Sequence, residues 1–250
     1  MIDSEPDPRL WLRRYVPAPE ARTRLVCFPH AGGAASYFHP IATALAPQTD
    51  VISLQYPGRQ DRRHEPLLPD VATMADQITA VLATQEPLPT VLFGHSLGAT
   101  LAFEVAWRQE QAGRAPVSLV ASGRRGPGTT RDEAVHRLDD EGLLAEIRSM
   151  DPGNAALLND EIMRMSLPAI RSDFRAAELY TLPGERRLSC PITVLVGDRD
   201  PKCTVDEARE WQEHTRDRFR IRVWPGGHFY LTEHASAVTE ELRTAALVEH

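Results

Sequence analysis

Short apolar runs rich in β-branched residues recur at positions 24–29, 50–54, 90–93, 117–121, 192–196 and 220–224. Their hydrophobicity is continuous rather than alternating, the pattern of strands covered on both faces. Between them, helical spacing governs residues 71–85, 97–112, 205–215 and 235–247. Strands alternating with helices of about 10–15 residues predict βαβ units and a mostly parallel sheet with helices on both faces. No internal repeat is visible.

Residues 123–191 break this rhythm. They contain no strand candidate, only helical stretches at 138–150 and 157–180. Leu138, Leu143, Leu144 and Ile147 fall near one helical face. Pro168 lies inside the second stretch and predicts a break or kink there. The pattern predicts a core of residues 1–123 and 191–250 with a helical lid, 124–190, inserted between two strands. Such an insertion would fold over the carboxyl ends of the strands, where open parallel sheets place their ligands.

Composition narrows the function classes. Twenty-eight basic against 35 acidic side chains give a net charge of −7, which argues against a duplex-binding role. No apolar run approaches the roughly 18–20 residues of a membrane span, and the N-terminus carries no signal-like segment. Cys27, Cys190 and Cys203 form no CxxC pair and suit a reducing compartment. A cytoplasmic protein without membrane or nucleic-acid partners is expected, with a monomer favoured. No HExxH or paired-ligand spacing points to a metal, and no GxGxxG to a dinucleotide.

The chemistry-bearing pattern starts at Gly94-His-Ser-Leu-Gly98. A serine between glycines, after a buried strand and before a helix, is a nucleophile elbow. A hydroxyl is a poor nucleophile at neutral pH and needs a base. Among nine histidines, His228 directly follows the last strand, where a loop at the sheet's carboxyl edge delivers an imidazole to Ser96. The orienting carboxylate is expected after the strand at 192–196, where Asp198 and Asp200 compete. Asp198, nearer the strand end, is suited to bond the loop backbone; Asp200, further out, is the preferred triad member. The order Ser96, Asp200, His228 is that of the α/β-hydrolases. The expected oxyanion donors are the backbone N–H groups of Leu97 and of Ala31, in the glycine-rich loop after the first clear strand.

FPHAGG at 28–33, YPGR at 56–59, GHSLGA at 94–99, GDRDP at 197–201 and GGHF at 226–229 together resemble the type II thioesterases. These are stand-alone editing hydrolases of polyketide and nonribosomal peptide synthases. The resemblance extends from about Leu25 to the C-terminal helix. It implies an α/β-hydrolase fold and no cofactor. The implied substrate is an acyl group in thioester linkage to the phosphopantetheine arm of an acyl or peptidyl carrier domain, taken by Ser96 and released to water.

Specificity is expected in the inserted helices, where Leu143, Leu144, Ile147, Leu157, Leu158, Met163, Met165 and Leu167 are either acyl-channel residues or the insertion's own core. His30 is a further substrate-side candidate. Carrier domains are acidic, so local cations are expected to dock them: Arg59, Arg62, Arg63, Arg124 and Arg125. Competing readings are a general ester hydrolase or acyltransferase of the same fold, and a non-catalytic carrier-binding protein.

Overall fold

The computed structural model describes residues 6–150 and 160–246. Seven strands form one sheet: β1 Leu12–Arg13, β2 Thr23–Phe28, β3 Thr49–Leu54, β4 Thr90–His95, β5 Ser118–Ser122, β6 Ile192–Gly197 and β7 Phe219–Trp224. Their spatial order is β1-β3-β2-β4-β5-β6-β7. All neighbours are parallel except β1, which pairs antiparallel with β3. Six strands match the apolar runs to within a residue or two. The two-residue β1 is too short to leave a pattern.

The helices are α1 Pro8–Trp11, α2 His39–Leu45, α3 Val71–Ala83, α4 Leu97–Gln111, α5 Asp140–Met150, α6 Asp160–Glu178, α7 Val205–Arg209, α8 Tyr230–Glu233 and α9 Ala235–Ala246. Strand alternation divides the core between them. Val26 and Phe28 of β2 join β3, α3 and α4 in one apolar cluster, while Leu25 and Cys27 pack with α2 and α9 on the opposite face. The sheet is thus covered on both sides, the reason its strands read as unbroken apolar runs.

Between β5 and β6 the described residues form no named strand, only a 3-10 turn at Val135–Arg137, α5 and α6. This segment has its own small core of Val135, Leu143, Leu144, Leu167 and Ile170. α6 runs through Pro168 without ending, so of the expected break or kink the break does not occur. Leu167, Ile170, Ala176 and Ala177 are buried on both sides of the proline, so tertiary packing supports the helix across the missing N–H. Leu157 and Leu158 lie outside the described residues. Cys27, Cys190 and Cys203 are buried free thiols. Among the described residues no helix is long and apolar enough to cross a membrane.

Candidate active site

The chain order reverses between β3-β2 and β4-β5-β6-β7, so the segments that follow β2, β4, β6 and β7 emerge along one edge of the sheet. Those segments carry His30 and Ala31, then Ser96, then Asp200, then His228.

Ser96 links β4 to α4 with φ 56° and ψ −119°, in a region that costs a non-glycine residue about 1–3 kcal/mol. Its backbone N–H donates to the Ser122 carbonyl at 2.8 Å, which ties the strained turn to β5. The flanking glycines are required by close approach. A Cβ on Gly94 would meet the Gly98 carbonyl, and one on Gly98 would meet the carbonyls of Phe28 and Pro29. The elbow therefore presses directly on the start of the His30–Gly33 loop.

His228 is 2% exposed and Asp200 5%. The His228 Nδ1 lies 2.9 Å from each Asp200 carboxylate oxygen. A proton on Nδ1 donated to that carboxylate leaves Nε2 as an acceptor. Asp200 also accepts the Lys202 backbone N–H at 2.8 Å, which anchors it in its loop. Asp198 bonds loop backbone: it accepts the Gly226 N–H at 2.8 Å, and this hydrogen bond holds its carboxyl below the usual range.

Ser96 and His228 line one cavity of about 270 Å³ together with His30, Ala31, Gly32, Tyr37, Phe229 and Thr232 from the sheet edge. Ile147, Met150, Met163, Ser166, Ile170 and Phe174 of α5 and α6 close it from the other side. Among the described residues, neither the Ala31 nor the Leu97 N–H has an acceptor within the protein. Leu97 opens α4 and has no intrahelical partner to give to.

Two further imidazoles surround His228. The His95 ring is 4.9 Å from it, and His30 packs edge-on against Tyr37, His95 and Phe229. Burial, then repulsion from His228, pushes His30 down to about 3 and His95 well below the usual histidine range. Both are neutral at pH 7. His95 Nδ1 pairs with Ser122 Oγ at 2.9 Å, and Ser122 Oγ with the Tyr230 hydroxyl at 2.6 Å.

Residues 23–245 match the Thioesterase domain family. This chain belongs to the thioesterase family. The chain is 56% identical over 236 residues to the probable cadicidin biosynthesis thioesterase of Streptomyces griseus, covering 94% of this chain and 65% of that protein. It thus spans just under two thirds of that relative's length. It is 46% identical over 248 residues to Thioesterase PikA5 of Streptomyces venezuelae, covering 97% of this chain and 87% of that one. Its structure is similar to that of the type II thioesterase BorB from the borrelidin biosynthetic cluster, with a TM-score of 0.86 and 47% identity over 95% and 96% of the two chains. The architecture is accordingly an α/β-hydrolase fold.

Several expected contact residues lie elsewhere. Leu143 and Leu144 do not line the cavity; they fill the inserted segment's own core. Ile147, also among the expected channel residues, does line the cavity, as does Met150 further along α5. Met163 lines it, whereas Met165 is 69% exposed. Two positions along an α-helix rotate by about 200°, so these methionines point in opposite directions.

Four of the five arginines expected to dock a carrier are engaged internally. Arg59 is buried and pairs with Asp173. Arg62 is buried, donates to Glu65 and to the Gln55 carbonyl, and lies over the Trp11 ring. Arg125 is buried against Glu133. Arg124, half-buried, donates to the Ala177 carbonyl, and burial followed by repulsion from Arg125 lowers it to about 10. A guanidinium with several fixed donors suits such interior junctions as well as it suits phosphate. Only Arg63 of the five is exposed.

Sequence reasoning missed Asp173 and the aromatic wall of Tyr37, Phe174 and Phe229. One signal was available for Asp173: a carboxylate on the same stripe as Leu167, Ile170 and Phe174, where burial demands a partner.

Proposed function

We propose that this thioesterase hydrolyses acyl groups from the phosphopantetheine arms of acyl or peptidyl carrier domains, editing polyketide or nonribosomal peptide assembly lines. Ser96 Oγ attacks the thioester carbonyl while His228 Nε2 takes its proton. Asp200 accepts the Nδ1 proton of His228, fixing the tautomer and stabilising the imidazolium that forms. The Ala31 and Leu97 amides receive the developing oxyanion. Collapse expels the pantetheine thiolate, which is protonated by His228 and needs less general-acid help than an amine. Water, activated by the same imidazole, then releases the acyl group from Ser96.

The observation that carries this reading is one cavity holding Ser96, an imidazole already locked onto a buried carboxylate, and Ala31, whose amide has no acceptor among the described residues. The helical segment of residues 124–190 acts as a lid that supplies the apolar acyl wall through Ile147, Met150, Met163, Ile170 and Phe174. Neutral His30 and His95 keep further positive charge away from the His228 imidazolium. His30 also lines the acyl side, and exposed Arg63 is the remaining candidate from the carrier-docking set.

The test is mass spectrometry of acyl-loaded carrier panels incubated with wild type and with Ser96→Ala. Loss of acyl mass with wild type only is expected, with turnover well above that on a free nitrophenyl ester. A higher efficiency on the free ester, or unchanged turnover by Ser96→Ala, would overturn the proposal.

A further inference from the structure

Asp173 sits on α6 at 3% exposure, on a stripe that otherwise buries apolar side chains. A single carboxylate oxygen, Oδ2, accepts both the Gly32 backbone N–H, at 2.7 Å, and the Arg59 guanidinium. Arg59 also donates to the Pro57 carbonyl at 2.6 Å and lies 5.4 Å from the Tyr56 ring centroid. The turn after β3, the inserted helix α6 and the loop after β2 therefore meet at one oxygen atom.

The Gly32 nitrogen belongs to the peptide that joins it to Ala31. Anchoring that N–H fixes the plane that holds the Ala31 Cα, the atom to which the Ala31 N–H is bonded, while the Gly33 N–H donates to the His30 carbonyl at 2.9 Å on the other side. The anchor is tight on a second count. Gly32 has φ +74°, and a Cβ there would run into the Ile170 side chain, so α6 lies directly against the loop. We infer that Asp173, held by Arg59, is a positioning residue that sets the Ala31 amide for the oxyanion. This rests on the triad reading above.

An ion pair this deeply buried is weak evidence of stabilisation, since apolar replacements of similar volume often fold as well or better. What an apolar pair cannot replace is the acceptor for the Gly32 N–H. Two double variants separate the acceptor from the charge. In Arg59→Met/Asp173→Asn the ion pair is gone but the Asn oxygen still accepts from Gly32. In Arg59→Met/Asp173→Leu a similar shape offers no acceptor.

Both double variants are compared with wild type in hydrolysis of an acyl-pantetheine thioester, and in labelling of Ser96 by a fluorophosphonate. The Leu variant is expected to lose about 10- to 100-fold in kcat, the scale of a misplaced catalytic group, with KM within about twofold. The Asn variant is expected to recover most of that loss. Equal kcat in the two double variants, or a loss confined to KM, overturns the inference. Should the Leu variant fail to fold, hydrogen exchange in wild type decides: protection of the Gly32 amide by about 100-fold or more is expected, and exchange at the unprotected rate overturns it. Absence of both turnover and Ser96 labelling in wild type would sink the triad reading instead, whatever the variants do.

Discussion

Replacing Gly98 by alanine adds one methyl group at the most crowded backbone junction of the site. Its Cβ would lie 2.6 Å from the Phe28 carbonyl carbon and 2.7 Å from the Pro29 oxygen, and nearer still to the Phe28 oxygen. Real Cβ contacts essentially never fall below 3.0 Å. The crowding atoms are backbone on both sides, the start of α4 and the end of β2, so no side-chain rotation relieves the clash. Whichever side yields, catalysis suffers, because α4 begins at Leu97 beside Ser96 and the displaced carbonyls lead straight into His30 and Ala31. A shift of several tenths of an ångström approaches the ~1 Å misplacement that costs about 100-fold in rate. Gly98→Ala is thus expected to lower kcat about 10- to 100-fold. Overpacking of this kind costs about 1–3 kcal/mol, which lowers Tm by about 2–12 °C at this chain length. Steady-state kinetics on an acyl-pantetheine thioester and a thermal melt read the two effects separately. A Gly98→Ala protein with wild-type kcat would show that the elbow and the His30–Gly33 loop are not locked together.

Asp200→Asn keeps the shape of the carboxylate but no longer selects the Nδ1–H tautomer of His228. kcat at pH 7 is expected to fall about 10⁴-fold with little change in KM, and a loss under tenfold would show that another group orients the imidazole. His30 is neutral in the fold, pushed by burial to about 3 from its ordinary 6.5. Between those pH values the unfolded chain binds a proton that the folded chain does not. Its contribution is therefore fully present above pH 6.5 and is lost as pH falls. His30→Gln is expected to flatten the pH dependence of unfolding free energy between pH 6 and 4 by up to about 1.4 kcal/mol per pH unit. Urea titrations across that range measure it, and parallel curves for the two proteins would contradict the neutral assignment.

The alternation of apolar runs and helical faces determined the parallel sheet and the helical insertion. Both are local patterns that follow from strands buried on two faces and helices buried on one. The glycines at 94 and 98 placed Ser96 at a strand-to-helix turn, since only residues without a side chain pass at that distance from backbone. His228 and Asp200 were legible as loop residues just past strand ends. Their 2.9 Å pairing depends on β6 and β7 being neighbours, which no local pattern encodes.

Tertiary structure alone decided which like residues do unlike things. Arg59 and Arg63 are four positions apart, yet one is sealed against Asp173 and the other faces solvent. A guanidinium's role is set by the carboxylate that the fold brings to it, here from 114 residues away. Met163 and Met165 were equally plausible wall residues until the phase of α6 turned one inward and the other out. Leu143 and Leu144 were drawn into the insertion's own core because a helical segment packed over a sheet must first bury itself. Chain pattern reports what a residue can do; only the packing of distant segments fixes which neighbour it does it with.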